Sequence, residues 1–139
     1  MSIEQGQAKK FRVLIADDNK EMRNTVISLL ESEFEVVGAV ADGRALTVAA
    51  ERLNPDVGVI DISMPIMNGI EAVIEIKKHD SHMKVIFLTV NEDADFVRAA
   101  FQAGGVGYVV KRQMATDLRI ALEKAIAGEM FISPCCDLP

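Results

Sequence analysis

Short apolar segments alternate with amphipathic segments five times along this chain. The apolar segments are each about the length of a strand, are rich in valine, isoleucine and phenylalanine, and span residues 11–16, 34–40, 56–60, 84–90 and 106–110. Their near-continuous apolarity is typical of parallel strands that are buried on both faces. Between them, apolar residues recur at helical spacing, and the first such stripe consists of Met22, Val26, Leu29 and Leu30. The pattern predicts five successive strand–helix pairs.

These pairs predict an α/β fold, namely a flavodoxin-like doubly wound parallel sheet with helices on both faces and strand order 2-1-3-4-5. The 139 residues suffice for one domain with a buried core. We expect this domain to span residues 11–128, because Gly128 is placed to end the last helix. Residues 1–10 are then an N-terminal extension. Residues 129–139 are a C-terminal tail or the start of a linker to an output domain outside this sequence.

Composition narrows the class of protein. The formal net charge of −6 argues against nucleic-acid binding by this chain itself. Uninterrupted runs of apolar residues and glycine, such as residues 36–41, are too short to span a bilayer, and residues 1–10 lack the apolar core of a signal peptide. We therefore expect a cytoplasmic protein without membrane contact. The two adjacent cysteines and the two histidines are interpreted as incidental tail thiols and solvated turn residues, at Cys135, Cys136, His79 and His82.

Polar side chains stand at the carboxyl ends of four of the five predicted strands. Asp17 and Asp18 follow the first strand and Asp61 follows the third, while Thr89 ends the fourth and Lys111 follows the fifth. Each alone has a simpler interpretation, as a helix cap, a strand residue or a solvated lysine. Chance gives no reason to place all of them at one end of the sheet. Ligands bind at that rim in doubly wound folds, so the set predicts one site.

The chemistry of such a site follows from its charges. Three neighbouring aspartates raise one another's pKa unless a positive charge compensates. Mg²⁺ suits this role, since it prefers oxygen ligands, uses few carboxylates and completes its shell with water and phosphate oxygens. Three aspartates, Lys111 and one Mg²⁺ have formal charges that sum to zero. An aspartate can then be the nucleophile in phosphoryl transfer, while metal and lysine neutralise charge in the transition state.

Four motifs in this order resemble the receiver domain of two-component response regulators. They are IADDN (15–19), DISMPIMNG (61–69), LTV (88–90) and GYVVK (107–111), and the resemblance covers residues 11–127. It implies a phospho-accepting signalling domain rather than an enzyme, although it takes part in its own phosphotransfer and dephosphorylation. The implied partner is a sensor histidine kinase or a histidine phosphotransfer protein.

The resemblance also implies a role for each matching residue. Asp61 looks like the phospho-acceptor and Asp18 like the direct Mg²⁺ ligand. Asp17 would hold the metal through water, and the backbone carbonyl of Ser63 would supply a further ligand. Lys111 would bind the phosphoryl group.

Two further residues match the switch of this family. Thr89 would close onto the phosphoryl group, and the ring of Tyr108 would then move inward. A packed strand aromatic is the alternative interpretation of Tyr108.

The chain departs from the family pattern at several positions. Arg112 replaces the proline that often follows the lysine, Val90 replaces a small alanine beside the site, and Gly105 replaces an alanine before the fifth strand. Ser63 and Asn91 occupy positions that tune hydrolysis of the acyl phosphate in the family, and neither is acidic.

Residues 122–134, LEKAIAGEMFISP, are similar to the last helix and linker start of NarL-type regulators, which continue into a helix-turn-helix DNA-binding domain. We favour an excised receiver of a transcription regulator over a stand-alone one. The face formed by helix 4, strand 5 and helix 5 would change its partner preference on phosphorylation. The sequence leaves open whether phosphorylation drives homodimerisation, for which the faces of helices 1 and 5 and of helices 4 and 5 are alternative contacts.

Two other functions compete with the phosphorylated switch. A pseudo-receiver would bind partners without phosphorylation, but its signature is loss of the acceptor, the acidic pair or the lysine, and all are present. A flavodoxin-like nucleotide binder needs a glycine- or hydroxyl-rich phosphate loop after the first strand. This chain has the acidic segment DDNKEM (17–22) there.

Overall fold

A computed structural model describes residues 10–134 of the chain. Most of the predicted N-terminal extension lies outside the described residues, as do Cys135 and Cys136. The interpretation of these two cysteines as incidental thiols therefore stays a prediction.

The described part of the chain folds as a parallel sheet with helices on both faces. The strands are β1 Arg12–Ala16, β2 Glu35–Val40, β3 Val57–Ile60, β4 Lys84–Thr89, β5 Gly107–Val110 and β6 Phe131–Ile132. The helices are α1 Lys20–Leu30, α2 Gly43–Leu53, α3 Gly69–Lys78, α4 Ala94–Gln102 and α5 Met114–Ile126, and a 3₁₀ turn spans Lys111–Gln113. The strand order is β2-β1-β3-β4-β5-β6 with every pairing parallel. The predicted α/β fold and its order 2-1-3-4-5 are confirmed.

The sixth strand was not predicted from the sequence. Gly128 adopts a φ of +82° after α5, as its predicted helix-ending role requires, and the chain turns back along the sheet. Phe131 and Ile132 then pair with Gly107 and Tyr108 of β5. Two residues are too few to produce a strand pattern. Part of the segment interpreted as a tail therefore covers the outer edge of β5.

Two apolar layers, one on each face of the sheet, form the core. In β1, Val13 and Ile15 pack with the buried faces of α1 and α5, whereas Leu14 and Ala16 pack with those of α2, α3 and α4. Burial on both faces explains why the strands are continuously apolar in sequence. It also confines the polar side chains of the central strands to the strand ends.

Helices α1 to α4 begin at side chains that cap their first turn. Asn19, Asp42, Asn68 and Asp93 each accept a hydrogen bond from a backbone N–H two or three residues later. Asn68 belongs to a reciprocal capping box, in which the Glu71 carboxylate accepts from the Asn68 N–H at 3.1 Å. The caps fix where the chain leaves the rim after each strand.

Gly69 begins α3 in close contact with the end of β3. A Cβ at this position would lie 2.0 Å from the carbonyl oxygen of Asp61, and the Gly69 N–H donates to the carbonyl of Ile62 at 2.8 Å. Only a residue without a side chain allows this approach. The turn after Asp61 therefore depends on glycine.

Gly69→Ala is expected to lower the free energy of unfolding by about 3 kcal/mol, because backbone must move to admit the methyl group. Gly38→Ala is the matched control, since its Cβ would meet only flexible leucine side chains at 3.1 Å. Urea unfolding of the two variants measures the difference. An equal or smaller loss for Gly69→Ala would contradict the close-approach argument.

Candidate functional site

The carboxyl ends of β1 and β3 bring three aspartates together. One carboxylate oxygen from each of Asp17, Asp18 and Asp61 lies within 4.8 Å of the others. Asp17 and Asp61 are 3% and 5% exposed, whereas Asp18 is exposed. The cluster is therefore buried on one side and open to solvent on the other. The sequence predicted this grouping correctly.

Lys111 enters the cluster from the end of β5. Its Nζ lies 2.7 Å from Oδ2 of Asp17 and 3.1 Å from Oδ2 of Asp61. One ammonium group thus bridges two buried carboxylates, with charge-assisted hydrogen bonds to both. The predicted convergence of Lys111 on the aspartates is confirmed.

Burial and charge shift the protonation equilibria of this bridge. Burial raises the pKa of Asp61, the positive charge of Lys111 opposes that shift, and the negative charge of Asp17 adds to it. For Lys111, burial acts to lower the pKa, but hydrogen bonding to Asp17 and the charge of Asp61 outweigh it, and the pKa is raised. Lys111 therefore stays protonated beside an Asp61 whose charge is only partly compensated.

Backbone groups orient the two buried carboxylates. The N–H of Asn19 donates to Oδ1 of Asp17 at 2.9 Å. The Arg23 side chain holds the main chain here, since its guanidinium donates to the backbone carbonyl of Asp17 at 2.7 Å. The N–H of Ser63 lies 3.4 Å from Oδ1 of Asp61. Each carboxylate is thus held by the first residues of the loop that follows its strand.

The donor set fits a hard divalent cation. Three carboxylates supply oxygen ligands, and the exposed Asp18 leaves room for water or phosphate oxygens to complete the coordination shell. Ser63 lies in the adjoining loop with its N–H toward Asp61. The role of its carbonyl as a metal ligand stays a prediction.

A chain of hydrogen bonds joins Thr89 to Tyr108. The Thr89 hydroxyl oxygen accepts from the backbone N–H and the side-chain amide of Asn91, at 3.3 and 3.1 Å. The Tyr108 hydroxyl donates to the carbonyl of Asn91 at 2.8 Å, and its ring is fully buried. Asn91 therefore connects the two residues predicted to form the switch. The family resemblance implies for Asn91 only a position that tunes hydrolysis, because its contact with Tyr108 joins residues 17 apart in the chain.

Arg112 has a partner that the sequence did not suggest. Its Nε and Nη2 donate to the two carboxylate oxygens of Glu92 at 2.7 and 3.0 Å. This bidentate pair joins the loop after β4 to the 3₁₀ turn after Lys111. The residue that replaces the family's proline thus ties together two loops of the rim.

Ile66 is strained in the loop that follows Asp61. Its φ is +73°, and Met67 donates its N–H to the carbonyl of Pro65 at 2.8 Å, closing a three-residue turn. A β-branched residue rarely adopts this conformation. The Ile66 side chain is 75% exposed, so burial within the domain offsets little of the strain.

Comparison with known proteins identifies the class to which this fold and rim belong. The response regulator receiver domain family matches residues 13–123, and the chain belongs to that family. It is 34% identical over 133 residues to the transcriptional regulatory protein DegU of Brevibacillus brevis, which covers 94% of this chain and 56% of DegU. It is 35% identical over 126 residues to the response regulator protein VraR of Staphylococcus aureus, covering 89% of this chain and 60% of VraR.

Solved structures agree with this assignment. A LuxR-family two-component response regulator from Aurantimonas sp. SI85-9A1 superposes with a TM-score of 0.86 at 30% identity, covering 91% of both chains. The isolated REC domain of RcsB from Salmonella enterica serovar Typhimurium, solved with the phosphomimetic BeF₃⁻, gives a TM-score of 0.84 at 29% identity. That match covers 92% of this chain and 96% of the RcsB domain.

The matches to the curated relatives cover only part of those proteins. The chain spans a little over half the length of the DegU and VraR relatives, 56% and 60% respectively. Within residues 10–134, each helix is too short or too polar to cross a membrane. The resemblance to receiver domains and to NarL-type regulators is thus confirmed for the domain itself.

Ile66→Asn is expected to raise the free energy of unfolding by about 1 kcal/mol, because asparagine tolerates positive φ better than a β-branched residue. Val90→Asn is the matched control, since Val90 is also exposed and has an ordinary φ. Urea unfolding should show a gain for Ile66→Asn alone. A comparable gain for both variants would attribute the effect to lost surface apolarity instead.

Asp61→Asn is expected to raise the thermal midpoint in EDTA near neutral pH. Burial places the folded-state pKa of Asp61 above its unfolded value, so ionisation favours the unfolded chain. The loss of stability caused by ionised Asp61 in the parent is absent below the pKa of Asp61 in the unfolded chain, and it grows as pH rises through the pKa of Asp61 in the folded protein. Calorimetric scans of the parent and of Asp61→Asn should therefore give different thermal midpoints at neutral pH and the same midpoint at acidic pH. A lower midpoint for the variant at neutral pH would contradict this reading of the bridge.

Proposed function

We propose that this chain accepts a phosphoryl group on Asp61 from the phosphohistidine of a sensor kinase or histidine phosphotransfer protein. The observation that carries the proposal is the Lys111 ammonium, held between Asp17 and Asp61 at 2.7 and 3.1 Å beside the exposed Asp18. The Asp61 carboxylate would also accept a phosphoryl group from small phosphoryl donors.

In the transfer, an oxygen of the Asp61 carboxylate attacks phosphorus and forms an acyl phosphate. The bond from phosphorus to the imidazole nitrogen breaks, and its electron pair returns to that nitrogen. Lys111 would leave Asp61 and pair with a phosphoryl oxygen, while its contact with Asp17 keeps it at the rim. Asp61 can serve as nucleophile because burial has removed much of its hydration.

Asp17, Asp18, Asp61 and the carbonyl of Ser63 would hold Mg²⁺ at the open side of the cluster. When bound, the cation neutralises charge on the phosphoryl oxygens. Without it, four negative groups would compete for one lysine once the phosphoryl group arrives. We therefore expect phosphorylation to depend on a divalent cation.

The switch would run through Thr89, Asn91 and Tyr108. A phosphoryl oxygen on Asp61 offers the Thr89 hydroxyl a stronger acceptor than it has in the unphosphorylated rim. Movement of Thr89 would alter its contacts with Asn91, whose carbonyl receives the Tyr108 hydroxyl at 2.8 Å. Tyr108 is already buried, so phosphorylation would stabilise this arrangement rather than create it.

The output surface would be the sheet edge between α4 and α5. Strand β6 covers the edge of β5, so the face expected from α4, β5 and α5 presents β6 at its centre. The name of DegU, a transcriptional regulatory protein, supports a transcriptional output. We propose that a DNA-binding domain outside this sequence supplies that output, with homodimerisation on phosphorylation as one route. A cytoplasmic location stays a prediction.

Incubation with Mg²⁺ and acetyl phosphate is expected to add one phosphoryl group to the parent and none to Asp61→Asn, as read by intact mass. EDTA should abolish the adduct. Glu71→Gln is a matched control, because its carboxylate caps α3 and is not one of the three clustered carboxylates. An unmodified parent that still binds Mg²⁺ would favour the pseudo-receiver, and equal labelling of Asp61→Asn would exclude Asp61 as acceptor.

A further inference from the structure

Ser133 lies beyond the part of the chain that matches the receiver family, yet it is one of the most enclosed polar residues. The family match ends at residue 123, whereas Ser133 follows β6 and is fully buried. A buried hydroxyl is stable only when its hydrogen bonds are made. Its partners therefore show what this segment does.

The Ser133 hydroxyl both donates and accepts a hydrogen bond, and its two partners lie in α5 and at the end of β5. It donates to Oδ2 of Asp117 at 2.8 Å and accepts from the backbone N–H of Val110 at 3.2 Å. The N–H of Ser133 donates to the carbonyl of Tyr108 at 2.9 Å. Ser133 thus holds the last residues of β5 along its outer edge.

Asp117 supports this arrangement from the first turn of α5. It is 9% exposed, and its second carboxylate oxygen accepts from the Thr116 hydroxyl at 3.1 Å. A carboxylate is a stronger acceptor than a neutral group, so it fixes the direction of the Ser133 hydroxyl. The lone pair of that hydroxyl then faces Val110.

The bond to Val110 matters because Lys111 is the next residue. The end of β5 sets the point from which the Lys111 side chain reaches Asp17 and Asp61, and the 3₁₀ turn begins there. A small rotation at this point would move the ammonium group away from one carboxylate. Precise placement of a group that stabilises developing charge depends on such supporting contacts.

We propose that Ser133, oriented by Asp117, is a positioning residue for Lys111 in phosphoryl transfer. The inference rests on the proposed function, since it assigns a support to the lysine of that same site. A residue beyond the end of the family match at residue 123 would then support phosphoryl transfer, and would not serve only as part of a linker. The alternative is that the hydroxyl merely fastens β6 to the sheet.

The test is a double-mutant cycle on adduct formation in the full chain, with acetyl phosphate as donor and saturating Mg²⁺. Ser133→Ala is expected to slow the maximal rate per folded molecule roughly tenfold, as when groups behind a site's direct ligands are lost. In a Lys111→Ala background the same change should have an effect of about twofold or less, because the residue acts through the lysine. Affinity for Mg²⁺ should be unchanged.

Ser81→Ala is the matched control, since the Ser81 hydroxyl also accepts a backbone N–H, from Met83 at 3.1 Å, at the opposite end of the sheet. It should leave the rate unchanged. If Ser133→Ala does not fold, Asp117→Asn replaces it in the cycle, with a severalfold loss expected only when Lys111 is present.

The positioning role would be overturned if Ser133→Ala slowed adduct formation by the same factor with Lys111 present and with Lys111→Ala. It would also be overturned if Ser133→Ala reacted as fast as Ser81→Ala. Either result would leave the proposed function standing. A parent that acquires no adduct would overturn the proposed function and this inference with it.

Discussion

The buried ion triad of Asp17, Lys111 and Asp61 is the constraint on which the rest of this structure depends. Carboxylates at the ends of fully buried strands lose hydration, and that cost is tolerable only with a well-placed opposite charge. Lys111 supplies it from β5, two strands away from β3. The triad can form only if β1, β3, β4 and β5 stand in this order with their ends aligned.

The same interaction sets the charge balance on which the proposed phosphoryl transfer would depend. One ammonium cannot fully compensate two carboxylates, and burial raises the pKa of Asp61 despite Lys111. A cation at the cluster and a phosphoryl group on Asp61 would each change that balance. Thr89, Asn91 and Tyr108 are linked by hydrogen bonds at the neighbouring strand ends, and these bonds are the contacts through which the proposed switch would act.

The loops around the triad differ in what determines their conformation. Gly69 lets α3 begin against the Asp61 carbonyl, and Arg112 with Glu92 joins two loops of the rim. Ile66 instead stores strain at positive φ with its side chain in solvent. Backbone strain of this kind clusters at active sites and switch regions. The rim thus combines close backbone packing at Gly69 with a strained, exposed turn at Ile66.

The sequence by itself determined the five main strands, their helices and the convergence of Asp17, Asp18, Asp61 and Lys111, and it placed Thr89 at the end of β4. Burial on both faces imposes continuous apolarity on parallel strands, and parallel strands place their carboxyl ends on one edge, so local pattern carries this information. Tertiary structure alone decided the rest. β6 exists because the edge of β5 offers partners to two residues, and Ser133 is buried because Asp117 and Val110 meet it there. Asn91, Arg112 and Ile66 likewise take their roles from atoms distant in sequence or from backbone angles, which no periodic pattern encodes.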